Sequence, residues 1–483
     1  MRALLLLALV ACAPKAPPVV EAPPPPPPPY VPAPPTPLAT RPFSPPAATR
    51  GALGSGVPVV VVENHEVPLV TLRIDFLTRG ADVPLAKAGL AEAAMDMLNE
   101  GAGKRDALQI SAELQRLGAG LGTGAGYDGA SVSISCLRDK LEPTLDVLAD
   151  VLLRPTFPAE EWERRRSLWI DDLQDARNSP GRIASRVTDR VLWGQSYRGV
   201  EATEASLRAI TVKEMKAWHA ANLGPGGATI QVGGDVTLAE VLPMLDARFG
   251  GWKGKTAKLG APPTAPVPPP QNTVWLVDKP GVAQSVVRAA AYVGRPTDPD
   301  FAAFTIANNA MGGQFASRIN LDLREQKGYT YGARTSVSYD LAGTSWSFSA
   351  NIHTEKTAPA LEALLQQLRD VEGARPLTAA EVEDARGASV FGWPGRFESP
   401  DYLLGQLDAI RTYGLPEDWV ATYLTRMRAP SAADAQKAWA DRIDPDRLAF
   451  IVVGDAARIR PEVEKLGFVV IPVDVDGNVI GGK

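Results

Sequence analysis

The stretch Met215-Lys-Ala-Trp218, followed by Thr229-Ile-Gln-Val-Gly-Gly-Asp235, returns about 220 residues later as Gln436-Lys-Ala-Trp439, followed by Leu448-Ala-Phe-Ile-Val-Val-Gly-Asp455. Two matched segments at one offset require a duplicated domain, so the fold of one half constrains the fold of the other. A proline-rich stretch, from Ala261 to Pro270, separates the halves and reads as a linker. The chain has 483 residues, 45% hydrophobic and 22% charged, which suits two globular domains of roughly 200 residues each. In each half the pattern predicts a strand (Leu69 to Phe76; Gln284 to Tyr292), a helix, an alternating strand, long amphipathic helices and a closing strand. The expected class is α+β, with helices on one face of each sheet.

Several function classes fall away on composition. A net charge of -5, from 50 basic and 55 acidic residues spread along the chain, leaves no electrostatic footprint for nucleic acid. The three histidines, His65, His219 and His353, are widely separated, and Cys12 and Cys136 supply neither a disulfide framework nor a Cys/His zinc cage. Cys136 is expected to be a lone thiol. The run Gly124-Ala-Gly126-Tyr-Asp-Gly129 fits a dinucleotide-binding string. The next residues, Ala130 to Ser135, alternate as a strand and offer no helix N-terminus for a pyrophosphate. The glycines from Gly118 to Gly126 instead allow close backbone approach at a sheet edge, where an extended peptide can add as a further strand.

Residues 1–11 read as a signal peptide: a basic start at Arg2, then an apolar run too short to span a bilayer. The run ends in Leu9-Val10-Ala11-Cys12, which resembles a bacterial lipobox with Cys12 as the lipidated mature N-terminus; an ordinary secretory peptide is the alternative. Ala13 in place of Asp favours, by the same resemblance, the outer membrane. The expected location is therefore the bacterial cell envelope, with the chain held by its lipid anchor and facing the periplasm or the cell surface. Residues 12–50 form a proline-rich tether that extends as polyproline II, with a role as ligand for a proline-binding domain as the weaker reading. The domains are then 51–253 and 273–483, joined by the linker 254–272.

Two segments carry chemistry. Leu85 to Gly101 reads as helical and sets Glu92 and Asp96 four residues apart on one face, and a later helix carries Asp171 and Asp172. In the second half, Met311 to Gly332 combines a glycine turn, a helix bearing Arg324, a stop at Gly328 and then Tyr331.

At these residues the chain resembles the insulinase/pitrilysin family of zinc metallopeptidases, from about Ser55 to Val470. The resemblance implies two duplicated domains, each a mainly antiparallel sheet packed by helices, forming one part of a clamshell. In catalytic members the first-half helix carries H-x-x-E-H after a G-x-A lead, with a Glu ligand roughly 76 residues on. The lead Gly89-Leu-Ala91 is present here, but Glu92 stands at the first His, Met95 at the catalytic Glu, Asp96 at the second His and Asp172 at the third ligand. A thioether cannot act as the general base, and a carboxylate set suits calcium or magnesium better than zinc. Glu92, Asp96 and Asp172 are expected to be solvated or paired acids, with residual binding of another metal as the alternative; no cofactor is expected in this chain.

The second half keeps what the first has lost. Arg324 and Tyr331 match the family's Leu-Arg-x-x-x-Gly-x-x-Tyr, whose Arg and Tyr reach across to grip substrate in the half opposite the metal. The resemblance thus implies a non-metal subunit that binds peptide in trans for a homologous zinc-bearing partner. The other reading is a scaffold or binding lipoprotein without a proteolytic role; independent hydrolysis through the carboxylates is the least favoured.

Overall fold

The computed structural model describes residues 42–78, 83–254 and 264–481. The signal peptide, Cys12 and the tether as far as residue 41 lie outside the described residues, as does 255–263 within the linker.

The first sheet is built from β1 (Thr49–Ala52), β2 (Pro58–Glu63), β3 (Leu69–Phe76), β6 (Gly120–Ala125), β7 (Ala130–Leu137) and β8 (Ala228–Gly234); β4 (Gly101–Ala102) and β5 (Arg105–Asp106) form a small separate pair. Its order is β1-β2-β8-β3-β7-β6, antiparallel except where β2 meets β8. The four consecutive valines of β2 and the whole of β8 are buried, as expected of interior strands covered on both faces. β7 alternates, with Ala130, Val132, Ile134 and Cys136 buried.

The second half repeats this plan in β9 (Thr273–Asp278), β10 (Gln284–Tyr292), β11 (Thr330–Asp340), β12 (Gly343–His353), β13 (Ala449–Gly454) and β14 (Val469–Val473), in the order β14-β9-β13-β10-β12-β11. Strands β2, β8, β3, β7 and β6 thus find their counterparts in β9, β13, β10, β12 and β11. The sheets differ only at the outer strand next to β2 or β9, antiparallel β1 in one and parallel β14 in the other. The repeated tryptophans fall on equivalent helices, Val212–Asn222 and Ala432–Ala440, each opened by a capping box (Thr211 with Glu214; Ser431 with Asp434) and each leading to the strand, β8 or β13, that pairs in parallel with the half's β2 or β9.

Helices do not cover only one face of each sheet, as the sequence pattern suggests. Helix Pro180–Trp193, from the first half, lays Ile183, Ala184 and Val187 on Trp275, Val286, Ile451 and Val453 of the second sheet. Helix Pro400–Tyr413, from the second half, packs on β8 and β2 of the first sheet. The halves exchange one helix each, so part of the second face of each sheet is covered by a helix of the other half. Gly233 on β8 allows this approach: a Cβ there would stand 2.7 Å from the Cβ of Pro400.

The helical stretch expected over 85–101 is broken into pieces. Leu85–Lys87 is a 3-10 turn, Leu90–Asp96 an α-helix and Met97–Glu100 a second 3-10 turn. Gly89 interrupts it with a φ of 95°, a conformation open to glycine, and a Cβ there would press within 3.0 Å of Ala202. Glu92 and Asp96 remain on the same short helix.

Candidate functional site

Helix Leu90–Asp96 lies over β6 with its small residues, Ala91, Ala93 and Ala94, turned into the core. Met95 is wholly buried in the same cluster, beside Met97 and Leu98. The position that would need a solvent-facing carboxylate is therefore part of the hydrophobic core.

The three carboxylates at the ligand positions do not converge. Asp96 takes a two-pronged grip from Arg165, whose Nε donates to Oδ2 at 2.7 Å while Nη2 donates to Oδ1. Glu100, next on the same face, is held by Arg164 at 2.8 Å and Arg165 at 3.4 Å. Asp172, on helix Ala159–Ala176, pairs with Arg182 through bonds of 2.8 and 2.6 Å, which holds its carboxyl below the usual range. Glu92 has neither an ion pair nor a hydrogen bond from another side chain among the described residues, and burial pushes its carboxyl up. Its neighbours are those of a cavity of about 310 Å³ lined by Tyr127, Trp169, Tyr197 and Glu201.

Zinc does not fit this arrangement. Two of the candidate ligands are already neutralised by arginine, the general-base position is a buried thioether, and no group of three His, Cys, Asp or Glu among the described residues is placed to hold a metal ion. The histidines serve elsewhere: His65 bonds Asp235 at 2.7 Å, His219 bonds the Leu152 carbonyl at 2.8 Å, and the His353 ring lies 6.5 Å from that of Tyr331.

The second-half residues are presented differently. Gly328, at a φ of 64°, turns the chain between helical Leu321–Gln326 and β11. Arg324, in the last turn before it, is a third exposed, pairs with neighbouring Glu325 at 3.0 Å and rests 4.6 Å over the Phe315 ring. Tyr331 stands on outer strand β11 with 86% of its surface exposed, beyond any packing requirement. Phe315, under the Arg324 guanidinium, is 62% exposed.

A third group was not legible in the sequence. Where the halves meet, Arg198 pairs with Asp340 at 2.8 Å and lies 4.3 Å over the Tyr127 ring, and Asp128 accepts from the Leu341 amide at 3.1 Å. Burial raises Asp128 and Asp189 to about 6. No local motif marks these residues, because Asp340 and Leu341, which meet Arg198 and Asp128, come from the other half.

Two family models agree with this geometry. One, Insulinase (Peptidase family M16), matches residues 59–195; the other, Peptidase M16 inactive domain, matches 209–388 and runs across the proline-rich stretch. The non-peptidase homolog YmxG of Helicobacter pylori is 20% identical over 409 residues, 83% of this chain and 92% of its own. An uncharacterized zinc protease of Streptomyces coelicolor is 22% identical over 291 residues, 58% of this chain, and the match spans only 62% of that protein's length. Among solved structures, a peptidase M16 inactive domain from Pseudomonas fluorescens superimposes with a TM-score of 0.77 at 24% identity, covering 84% of this chain and 98% of that one. The periplasmic protease PqqL from Escherichia coli gives 0.69 at 13% identity, covering 86% of this chain and 50% of that one. Such identities carry the fold, and the two family models together span well over half of the chain. The chain belongs to the insulinase family, peptidase family M16, as a member whose first-half helix lacks the hydrolytic residue set.

Proposed function

We propose that this protein is the non-catalytic, Arg/Tyr-bearing subunit of an envelope zinc metallopeptidase, which grips peptide substrate for a zinc-bearing homologous partner. The observation that carries the reading is the contrast between the halves: Asp96 and Asp172 are tied up in ion pairs and Met95 in the core, whereas Tyr331 is 86% exposed on an outer strand and Arg324 a third exposed on the helical turn before it. An exposed tyrosine hydroxyl and a guanidinium fork suit a peptide carbonyl and the oxyanion formed from it. The name of the Helicobacter relative, a non-peptidase homolog, supports the absence of independent hydrolysis. The partner would supply zinc, and the two chains would close as a clamshell. Residues 1–13 support placement as an outer-membrane lipoprotein anchored through Cys12.

The test is reconstitution with a zinc-bearing homologue from the same envelope. Addition of this chain should raise the partner's peptidase turnover, and Arg324→Ala or Tyr331→Phe should each slow it about a hundredfold without loss of the complex on size exclusion. Full activity with both substitutions present would reject the trans-acting role and leave the second reading, a peptidase-fold binding or scaffold lipoprotein. That reading is favoured by one observation: β6, with Gly120, Gly122 and Gly124, has no strand on its outer side among the described residues and can accept a peptide without any partner. Membrane association of the unlipidated Cys12→Ala protein would reject the anchor.

A further inference from the structure

The cavity beside Glu92 has a composition that selects its occupant. Three aromatic side chains, Tyr127, Trp169 and Tyr197, share its lining with two carboxylates, Glu92 and Glu201, and among the described residues no lysine, arginine or histidine lines it. The arginines nearby already have partners, two of them on residues of the lining, Arg186 on Glu201 and Arg198 over the Tyr127 ring at 4.3 Å. Arg165 holds Asp96, Arg182 holds Asp172, Arg198 holds Asp340 at 2.8 Å, and Arg186 holds Glu201 at 2.8 Å. Of these carboxylates, Glu92 alone is left without a counter-ion among the described residues, although it is open to the cavity.

With Arg198 already over Tyr127, a carboxylate beside the remaining rings still attracts a cation twice over, through its own charge and through the ring quadrupoles. One carboxylate is too few for a metal ion, and Glu201 already has its arginine. The space, about 310 Å³ with apolar walls from Val83, Ala91 and Val200, suits a long aliphatic stem ending in a charged head.

The cavity also opens where a peptide would arrive. Ala125, Gly126 and Tyr127, at the end of β6, form part of its wall. Along β6, Gly120 and Gly122 face the serines Ser135 and Ser133 on one side of the sheet; Leu121 and Ala125 pack toward the helix layer on the other, and Thr123 bonds Asn99 there. A strand added at this edge alternates in the same way, and every second side chain would point to the helix layer.

We propose that this cavity beside Glu92 binds the lysine or arginine side chain of a peptide lying along β6. The proposal rests on the reading of the chain as a peptide-binding protein and adds the class of residue it prefers.

The experiment uses the purified chain and fluorescein-labelled nonapeptides of alternating valine and serine whose central residue is lysine, arginine, norleucine or glutamate, read by fluorescence anisotropy. Lysine and arginine peptides should bind about tenfold or more tighter than the norleucine peptide, the value of a charge-assisted contact. Glu92→Gln should abolish that ratio while leaving norleucine binding and the far-ultraviolet circular dichroism as they were. Equal affinity of the wild-type chain for the lysine and norleucine peptides overturns the proposal, and this comparison needs no variant. A preference that persists in Glu92→Gln overturns it as well. If none of the peptides binds, the peptide-binding reading falls and takes this proposal with it, whereas binding without preference removes the proposal alone.

Discussion

Replacing Asp75 by asparagine should make the protein more stable at pH 8, with a gain that shrinks as the pH falls. Asp75 sits on β3 in the interior of the first sheet, 3% exposed, with one oxygen bonded to Arg73 and Oδ2 buried without a hydrogen bond. Burial, with repulsion from Asp408 on the helix donated by the second half, raises its carboxyl from 3.8 to about 6; Arg73 and Arg411 only partly offset this. The folded chain therefore holds a proton that the unfolded chain has released, and stability falls as the pH rises from about 4 to about 6. The move from 3.8 to about 6 amounts to about 3 kcal/mol lost above that window, of which about 1 kcal/mol is already lost at pH 4.5. Asparagine carries no charge at any pH, so its advantage over aspartate should be about 2 kcal/mol larger at pH 8 than at pH 4.5. That difference does not depend on the constant cost of fitting the amide beside Arg73. Urea titrations of both proteins at the two pH values, monitored by tryptophan fluorescence, measure it. A stability difference that is the same at both pH values would refute the electrostatic argument.

Met95→Glu should lower the thermal midpoint, by about 3 kcal/mol or more of stability, because it places a carboxylate in a fully buried apolar site, and it should not recruit zinc. An unchanged midpoint, or one zinc per chain by elemental analysis, would contradict this. Asp96→Ala should cost about 1 kcal/mol, since it strands the partly buried Arg165, whereas Asp172→Ala, on a solvated pair, should stay within about 0.5 kcal/mol; a reversed ranking in thermal scans would show the pairs misread. Gly233→Ala should cost about 1–3 kcal/mol by pressing on Pro400 and Leu404, while Gly124→Ala, with nothing within 4 Å of the new methyl, should be nearly neutral in the same scans.

How much of the fold and the site could be read from the chain depended on the kind of interaction each residue makes. The duplication was legible because Trp218 and Trp439 occupy equivalent helices in two copies of one fold, and burial keeps such positions apolar in both. The edge position of β6 was marked by its alternating glycines, and Met95 announced the loss of a general base by its side chain alone. The length of the helix around Glu92 was overestimated, because Gly89 takes a left-handed turn, close against Ala202 and Leu207 of a distant segment, and the last residues tighten into a 3-10 turn.

By itself, then, the sequence determined the duplicated α+β plan, the absence of hydrolytic residues on the first-half helix, and the pairing of Arg324 with Tyr331 across Gly328. These are properties of side-chain type and local spacing. Only the tertiary structure decided that Asp96 and Asp172 are occupied by Arg165 and Arg182 while Glu92, without a counter-ion among the described residues, lines an aromatic cavity, and that each half lends a helix to the other's sheet. The physical reason is that the charge balance of a carboxylate depends on what surrounds it in space. For Asp96 the partner lies 69 residues away, and for Asp75 the repelling Asp408 comes from the other half of the chain.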